Sequence, residues 1–280
     1  MRKINRPTFT VREVFGACIV NVADNALKLA LEHSIDLVEN AEADFDLKKR
    51  TNSLHTIQRG VAVNAIANTE QLQKVYTDRL VKKTNGGRMY YDAILFSAPR
   101  GICPLCSQRN ATTLDHYLPK SEYPLLSAAP LNLIPACKDC NTGKLCNYPK
   151  NSKEETLHPY YDNVEDFEWL KSRVLQPYPF LIEYYVDPPA NINQLLKDRI
   201  QYHFDCFNLN SLYTTHATEE FMNSYIQLTN LFNNGGRDSL IHFLQECYES
   251  RKISSKNSWQ TAFYSGLLNN VEFCNGQFIE

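Results

Sequence analysis

The chain has 280 residues, of which 43% are hydrophobic and 21% are charged, and its formal net charge is −2. This composition is typical of a folded globular protein and excludes a disordered or collagen-like chain. The small net charge excludes general electrostatic attraction to nucleic acid, so such binding requires a local basic patch. No stretch approaches the roughly 18 apolar residues of a membrane span, and no signal-peptide core follows the basic N-terminus. We therefore expect a cytoplasmic protein without membrane contact.

Residues 1–99 are predicted to form an N-terminal helical region. Apolar residues recur at near-helical spacing from Thr10 to about Asp46 and again from about Val61 to Val81, which predicts a helix in each stretch. The sequence Asn85-Gly86-Gly87 predicts the end of the second helix. Residues 89–96 are aromatic and apolar, and they fit either a short strand or a buried helix, because periodicity does not separate the two over so few residues.

Residues 163–280 are predicted to form a second helical region. The spacing of Phe167, Leu170 and Val174 suggests a helix at its start, and residues 180–186 are the best strand candidate in this half of the chain. Gly235-Gly236 predicts a helix end. The helices predicted beyond the strand cover residues 192–207, 212–232, 239–248 and 259–268.

Between these regions, residues 100–162 contain two Cys-x-x-Cys pairs, Cys103/Cys106 and Cys137/Cys140. Each pair presents two thiolates to one metal ion, so four sulfurs predict a tetrahedral zinc site. The 30 residues between the pairs exceed the spacing of a simple zinc ribbon, which leaves room for a further element. The other five of the nine cysteines are scattered, which suits reduced thiols better than a disulfide framework.

The segment between the cysteine pairs contains Asp115 directly before His116. Residues 112–116 and 131–136 predict two paired strands, and a helix is expected to start near Cys137. On such a helix, one face would carry the residues at i, i+3, i+4 and i+7. These are Cys137, Cys140, Asn141 and Lys144.

These motifs resemble the HNH endonuclease family, also called ββα-metal or His-Me finger nucleases. The resemblance rests on Cys-x-x-Cys, then Asp-His-x-x-Pro from Asp115, then Asn-Leu-x-Pro-x-Cys-x-x-Cys-Asn-x-x-Lys from Asn132 to Lys144. Asn141 directly after the last cysteine is similar to the endonuclease VII branch of phage Holliday-junction resolvases. The resemblance covers about residues 101–144 and implies hydrolysis of DNA phosphodiester bonds with a structural zinc ion and a catalytic Mg²⁺ or Mn²⁺ ion.

The residues offer the groups that this chemistry needs. With an imidazole pKa near 6.5, His116 can take the proton of the attacking water as a neutral base. Asp115 and Asn141 provide oxygen ligands for a hard divalent cation. The resemblance implies that Asn132 holds the hairpin by hydrogen bonds. Two lysines, Lys144 and as a weaker candidate Lys120, are predicted to contact a phosphate.

The expected architecture is mainly α-helical, and α+β overall, with a small ββα-metal module in residues 100–162 between the two helical regions. His158 and Asp162 are interpreted as packing residues of a Pro-containing turn. Six Lys or Arg against three Asp or Glu between Arg100 and Lys150 give this segment a local charge of about +3, which suits a DNA partner.

The alternative function is a zinc-ribbon module that binds nucleic acid or a protein partner without cutting. A pure binding module needs no second metal site. The presence of such a set of residues therefore argues against this alternative: Asp115, His116, Asn132 and Asn141. By analogy with bacterial HNH proteins that have helical flanks, the helices are hypothesised to dock an ATPase partner in antiviral defence. A homodimer is a further hypothesis, because HNH enzymes that cut both strands often pair two active sites.

Overall fold

The computed structural model describes residues 1–60, 65–82, 84, 86–144 and 148–280. Its elements are mostly helical and include two separate two-stranded antiparallel sheets, which confirms the predicted mainly helical α+β class. The chain divides into two compact units, Met1–Asp162 and Asn163–Glu280. The predicted regions 1–99 and 100–162 therefore lie together in the first unit. Across the described residues, no helix is both long enough and apolar enough to cross a membrane.

The first unit combines short helices with one hairpin. Its α-helices and strands, in chain order, are α1 (Val11–Ile19), α2 (Asn25–Glu32), α3 (Ile35–Arg50), α4 (Thr69–Lys74), α5 (Arg88–Phe96), β1 (Thr113–His116), β2 (Leu133–Ala136) and α6 (Lys138–Gly143). A π-helix, Val75–Leu80, continues directly from α4. Helix α5 shows that residues 89–96 adopt the helical alternative, with Tyr91 and Ile94 buried.

The long helix predicted from Thr10 to Asp46 is instead three helices. A capping box between Thr10 and Glu13 starts α1, and the Asp24 carboxylate accepts a hydrogen bond from the Leu27 backbone N–H to start α2. Such side-chain caps offer the backbone an alternative to a continuous helix. In the second predicted helix, residues 61–64 lie outside the described residues, as does Asn85 of the predicted stop. The described part of that helix begins at α4.

The second unit packs a hairpin against helices. Its elements are β3 (Leu170–Gln176), β4 (Leu181–Val186), α7 (Gln194–Cys206), α8 (Leu209–Ser254), α9 (Trp259–Leu268) and α10 (Val271–Cys274). Strand β4 confirms the predicted strand, whereas the helix predicted around Phe167 to Val174 is wrong. There, Leu170, Ser172 and Val174 are buried with a period of two and pair with β4. The range of α8 contains two helical segments, because the backbone at Gly236 is not helical, with φ 67° and ψ −164°; this agrees with the helix end predicted at Gly235-Gly236.

Candidate active site and metal centre

The four cysteines of the two Cys-x-x-Cys pairs converge on one point. Their Sγ atoms all lie within 4.8 Å of one another, and all four residues are buried. Zinc–sulfur bonds of about 2.3 Å place tetrahedral sulfurs about 3.8 Å apart, so this donor set fits a zinc ion. The Cys137 Sγ accepts a hydrogen bond from the Cys140 backbone N–H at 3.3 Å. The cluster also joins the start of α6 to the turn before β1.

The β1–β2 hairpin positions the neighbouring polar residues. In the antiparallel register, Asp115 lies opposite Ile134 and His116 lies opposite Leu133. Helix α6 follows β2 after Cys137, its N-cap, and packs against β1. The order of two strands and a helix therefore agrees with the order expected from the sequence, with His116 at the Leu133 end of the hairpin and Cys137 directly after the Ala136 end.

The His116 imidazole is fixed in one orientation. Its Nε2 lies 2.8 Å from the Ser127 carbonyl oxygen, which can only accept, so Nε2 carries the proton and Nδ1 has the lone pair. Desolvation by burial lowers the pKa of His116 to about 3, which keeps the ring neutral at physiological pH. The Tyr76 ring packs edge-on against the imidazole, with a centroid separation of 4.3 Å. The result is a neutral, oriented imidazole with Nδ1 as its basic atom.

The Asp115 carboxylate is buried, and a lysine pairs with it. Its Oδ2 lies 3.1 Å from Lys144 Nζ, and both side chains are 6% exposed. Burial raises the pKa of Asp115 above its usual value, while the charge and hydrogen bond of Lys144 oppose that rise. Lys144 also donates to the carbonyl oxygens of His116 at 3.0 Å and Tyr117 at 2.5 Å. The predicted phosphate-binding Lys144 thus lies inside the site.

Lys120 and Asn141 complete the set of predicted residues near the hairpin. The Lys120 ammonium is partly exposed and lies 5.1 Å from the centroid of the Tyr76 ring, which itself contacts His116. The Asn141 Nδ2 donates to the Leu114 carbonyl oxygen at 3.4 Å, beside Asp115. Since the amide nitrogen makes this bond, the Asn141 Oδ1 remains the atom suited to ligate a cation.

Asn132 ties the two ends of the connection between the strands together. It is fully buried, its Oδ1 accepts from the Leu118 N–H at 2.7 Å, and its Nδ2 donates to the carbonyl oxygens of Leu118 at 2.9 Å and Leu126 at 3.1 Å. Leu118 lies two residues after His116, and Leu126 lies directly before Ser127, the partner of His116. Asn132 therefore fixes both backbone segments that orient the imidazole.

Substituting Asn132→Ala is expected to lower the free energy of unfolding by about 3 kcal/mol, because three buried backbone groups lose their partner. Urea denaturation followed by circular dichroism measures the change. Asn141→Ala is the matched control, since that residue is half-buried and its side-chain Nδ2 donates a longer hydrogen bond, of 3.4 Å, to the Leu114 carbonyl oxygen. An equal loss in both variants would contradict this role of Asn132.

Tyr76 is a site residue that the sequence pattern did not identify. In the sequence it is one member of an apolar helical stripe, yet its hydroxyl donates to the Leu114 carbonyl oxygen at 3.3 Å and its ring contacts His116. It lies on the π-helix Val75–Leu80, a rare element that is frequent at functional sites. A single sequence carries no signal for a contact across 40 residues.

His158 packs behind the site. It is fully buried, its Nε2 lies 3.2 Å from the Leu131 carbonyl oxygen, and its Nδ1 accepts from the Tyr160 N–H. The Asp162 carboxylate accepts from the His158 backbone N–H at 2.7 Å. These bonds give His158 and Asp162 the packing role that the sequence predicted for them.

Comparison with known proteins finds a relative in Escherichia phage lambda, protein ea31, which is 26% identical over 306 residues. The similarity covers 99% of this chain and 100% of the phage protein, so it extends over both compact units. No family model matches the chain, and no solved structure matches it. The name of the phage protein states no activity, so the assignment of a function depends on the chemistry of the site.

Proposed function

We propose that the protein is a metal-dependent endonuclease of the HNH type that hydrolyses DNA phosphodiester bonds. The observation that carries this proposal is the His116 imidazole, neutral and with its Nδ1 as acceptor, on a strand in which Asp115 is the preceding residue and the Leu114 carbonyl oxygen accepts from Asn141 on the helix. The four-cysteine cluster supports it, since a zinc ion there clamps the helix to the hairpin. The sequence resemblance to HNH nucleases points to the same chemistry.

His116 is the general base in this proposal. Its Nδ1 takes a proton from the attacking water, and the resulting imidazolium is held in place by the Nε2 bond to the Ser127 carbonyl oxygen. A half-buried imidazole with a low pKa is a weak base in the free protein, and the negative charge of a bound phosphate would raise that basicity. The Tyr76 ring prevents the imidazole from rotating away from the water.

Asp115 and Asn141 would hold the Mg²⁺ or Mn²⁺ ion. Both side chains offer oxygen donors, which such ions prefer, and the Asp115 carboxylate would do so while its Oδ2 also pairs with Lys144. When bound, the ion supplies positive charge to the scissile phosphate and its leaving oxygen. Because Lys144 is engaged inside the site, the phosphate contact is assigned to the partly exposed Lys120.

Cleavage of plasmid DNA tests the proposal. We expect the zinc-loaded protein to cut in the presence of Mg²⁺ or Mn²⁺, and His116→Ala to cut about 10²- to 10⁴-fold more slowly. His33→Ala is the control, because His33 is an exposed histidine in the same unit, and its loss should leave the rate unchanged. A protein that does not cut, or a His116→Ala variant that cuts at the original rate, would show the assignment to be wrong.

A non-catalytic zinc module is the second candidate, and one observation favours it. The ammonium of Lys144 already neutralises the charge of Asp115, so the carboxylate has a positively charged partner without any metal ion. In that case the protein would bind nucleic acid or a protein through its surface and show no Mn²⁺ binding that depends on Asp115. Measuring Mn²⁺ binding to the original protein and to Asp115→Asn, with zinc retained in both, separates the two functions.

A further inference from the structure

Lys144 is a buried cation inside a site that is proposed to hold a second cation. It follows α6 directly and is 5% exposed. An ammonium group has three N–H donors, and three acceptors surround this one: the Asp115 carboxylate and the carbonyl oxygens of His116 and Tyr117. Its Nζ also lies 4.6 Å from the centroid of the Tyr117 ring. The hydrogen-bonding capacity of Lys144 is therefore used within the protein.

The charges around the site leave little attraction for a divalent ion. Within the described parts of the chain, Lys144 is the charged side chain that acts on Asp115, and Lys120 and Lys144 both act on His116. One carboxylate and one ammonium sum to zero, and Asn141 adds a neutral ligand. The affinity of oxygen-ligand sites for divalent cations rises with the number of charged ligands, so this set predicts weak binding.

We propose that Lys144 sets the cation affinity of the site formed by Asp115 and Asn141, and that it keeps this affinity low in the free protein. The inference rests on the proposed function, because it assumes that these two residues hold the catalytic ion. A fixed positive charge that is hydrogen-bonded to a ligand of a divalent ion would oppose binding of that ion, and more strongly where water is excluded. Removing the ammonium should therefore strengthen cation binding, although it removes a hydrogen-bond donor from Asp115.

Titration of the zinc-loaded full-length chain with Mn²⁺, with free Mn²⁺ followed by electron paramagnetic resonance, tests the inference. We expect Lys144→Met to bind Mn²⁺ at least about tenfold more tightly than the original protein. Lys138→Met is the matched control, because Lys138 is an exposed lysine on the same helix and its loss changes the net charge equally. It should change the dissociation constant by less than about twofold.

Asp115→Asn separates failure of this inference from failure of the proposed function. If Asp115→Asn abolishes Mn²⁺ binding but Lys144→Met binds no more tightly than the original protein, the role of Lys144 is overturned and the cation site stands. If Asp115→Asn binds Mn²⁺ as the original protein does, both the role of Lys144 and the proposed cation site are wrong. Zinc content and circular dichroism check the fold of each variant. If Lys144→Met loses zinc, Lys144→Gln serves instead, because its amide can still donate to the two carbonyl oxygens.

Discussion

Chelation of zinc at neutral pH is expected to unfold the first unit, Met1–Asp162, while the helices of the second unit persist. The four sulfurs lie together in a buried cluster that joins α6 to the turn before β1, and the hairpin beside the cluster has two strands of four residues each. Structural zinc sites contribute apparent binding energies of about 10–16 kcal/mol. That is as large as the roughly 5–15 kcal/mol that stabilises a typical domain, so loss of the ion removes enough free energy to unfold the unit.

Zinc content and circular dichroism measure this effect. The original protein should contain one zinc ion per chain, and chelation should remove it together with part of the helical signal. Cys137→Ser should reproduce the loss without chelator, because a serine hydroxyl is a poor zinc ligand. Cys247→Ser in the second unit is the control, because Cys247 lies outside the cluster. This variant should retain both its zinc ion and its helical signal. An unchanged first unit after complete zinc removal would contradict the structural role.

The four-cysteine cluster could be predicted from the sequence because its information is local. A Cys-x-x-Cys knuckle needs only a few residues to aim two sulfurs at one ion, and the Asp-His pair and Asn141 are fixed by their distance from those knuckles. The sequence also predicted β1, β2 and the start of α6, because their patterns are local too. The class of fold and the strand β4 were equally accessible, because their apolar patterns are strong.

The partners of the site residues could not be predicted, because they come from distant parts of the chain. Tyr76 reaches His116 from the π-helix, and Lys144 meets Asp115 only after α6 has folded back on β1. The helix at the start of the second unit was wrongly predicted because Phe167, Leu170 and Val174 fit a helical spacing, while Leu170 and Val174 alone fit one face of a strand equally well. Pairing with β4 decides between the two, and pairing is a tertiary interaction.

A second feature beyond the reach of the sequence is a buried ion pair behind the site. Lys49 on α3 lies 3.2 Å from Glu155, and both side chains are fully buried. Lys49 also lies 3.5 Å from the Asp162 carboxylate, and Glu155 accepts a hydrogen bond from the Leu54 backbone N–H at 2.7 Å. The Lys49 ammonium lies 5.5 Å from the centroid of the Tyr117 ring, on which Lys144 also packs. The Lys49–Glu155 pair therefore packs behind Tyr117, the residue whose ring contacts Lys144.

Lys49→Met is expected to lower the free energy of unfolding by about 3–5 kcal/mol, because it leaves the Glu155 carboxylate buried without its main positive partner. Lys48→Met is the matched control: Lys48 is the adjacent residue and makes a surface ion pair with Asp44, which is worth about 0–1 kcal/mol. The double variant Lys49→Met/Glu155→Leu should lose less than Lys49→Met alone, since no uncompensated carboxylate remains at position 155. Urea denaturation of the four proteins measures these differences. Equal midpoints for Lys49→Met and Lys48→Met would show that the buried pair contributes no more than a surface one.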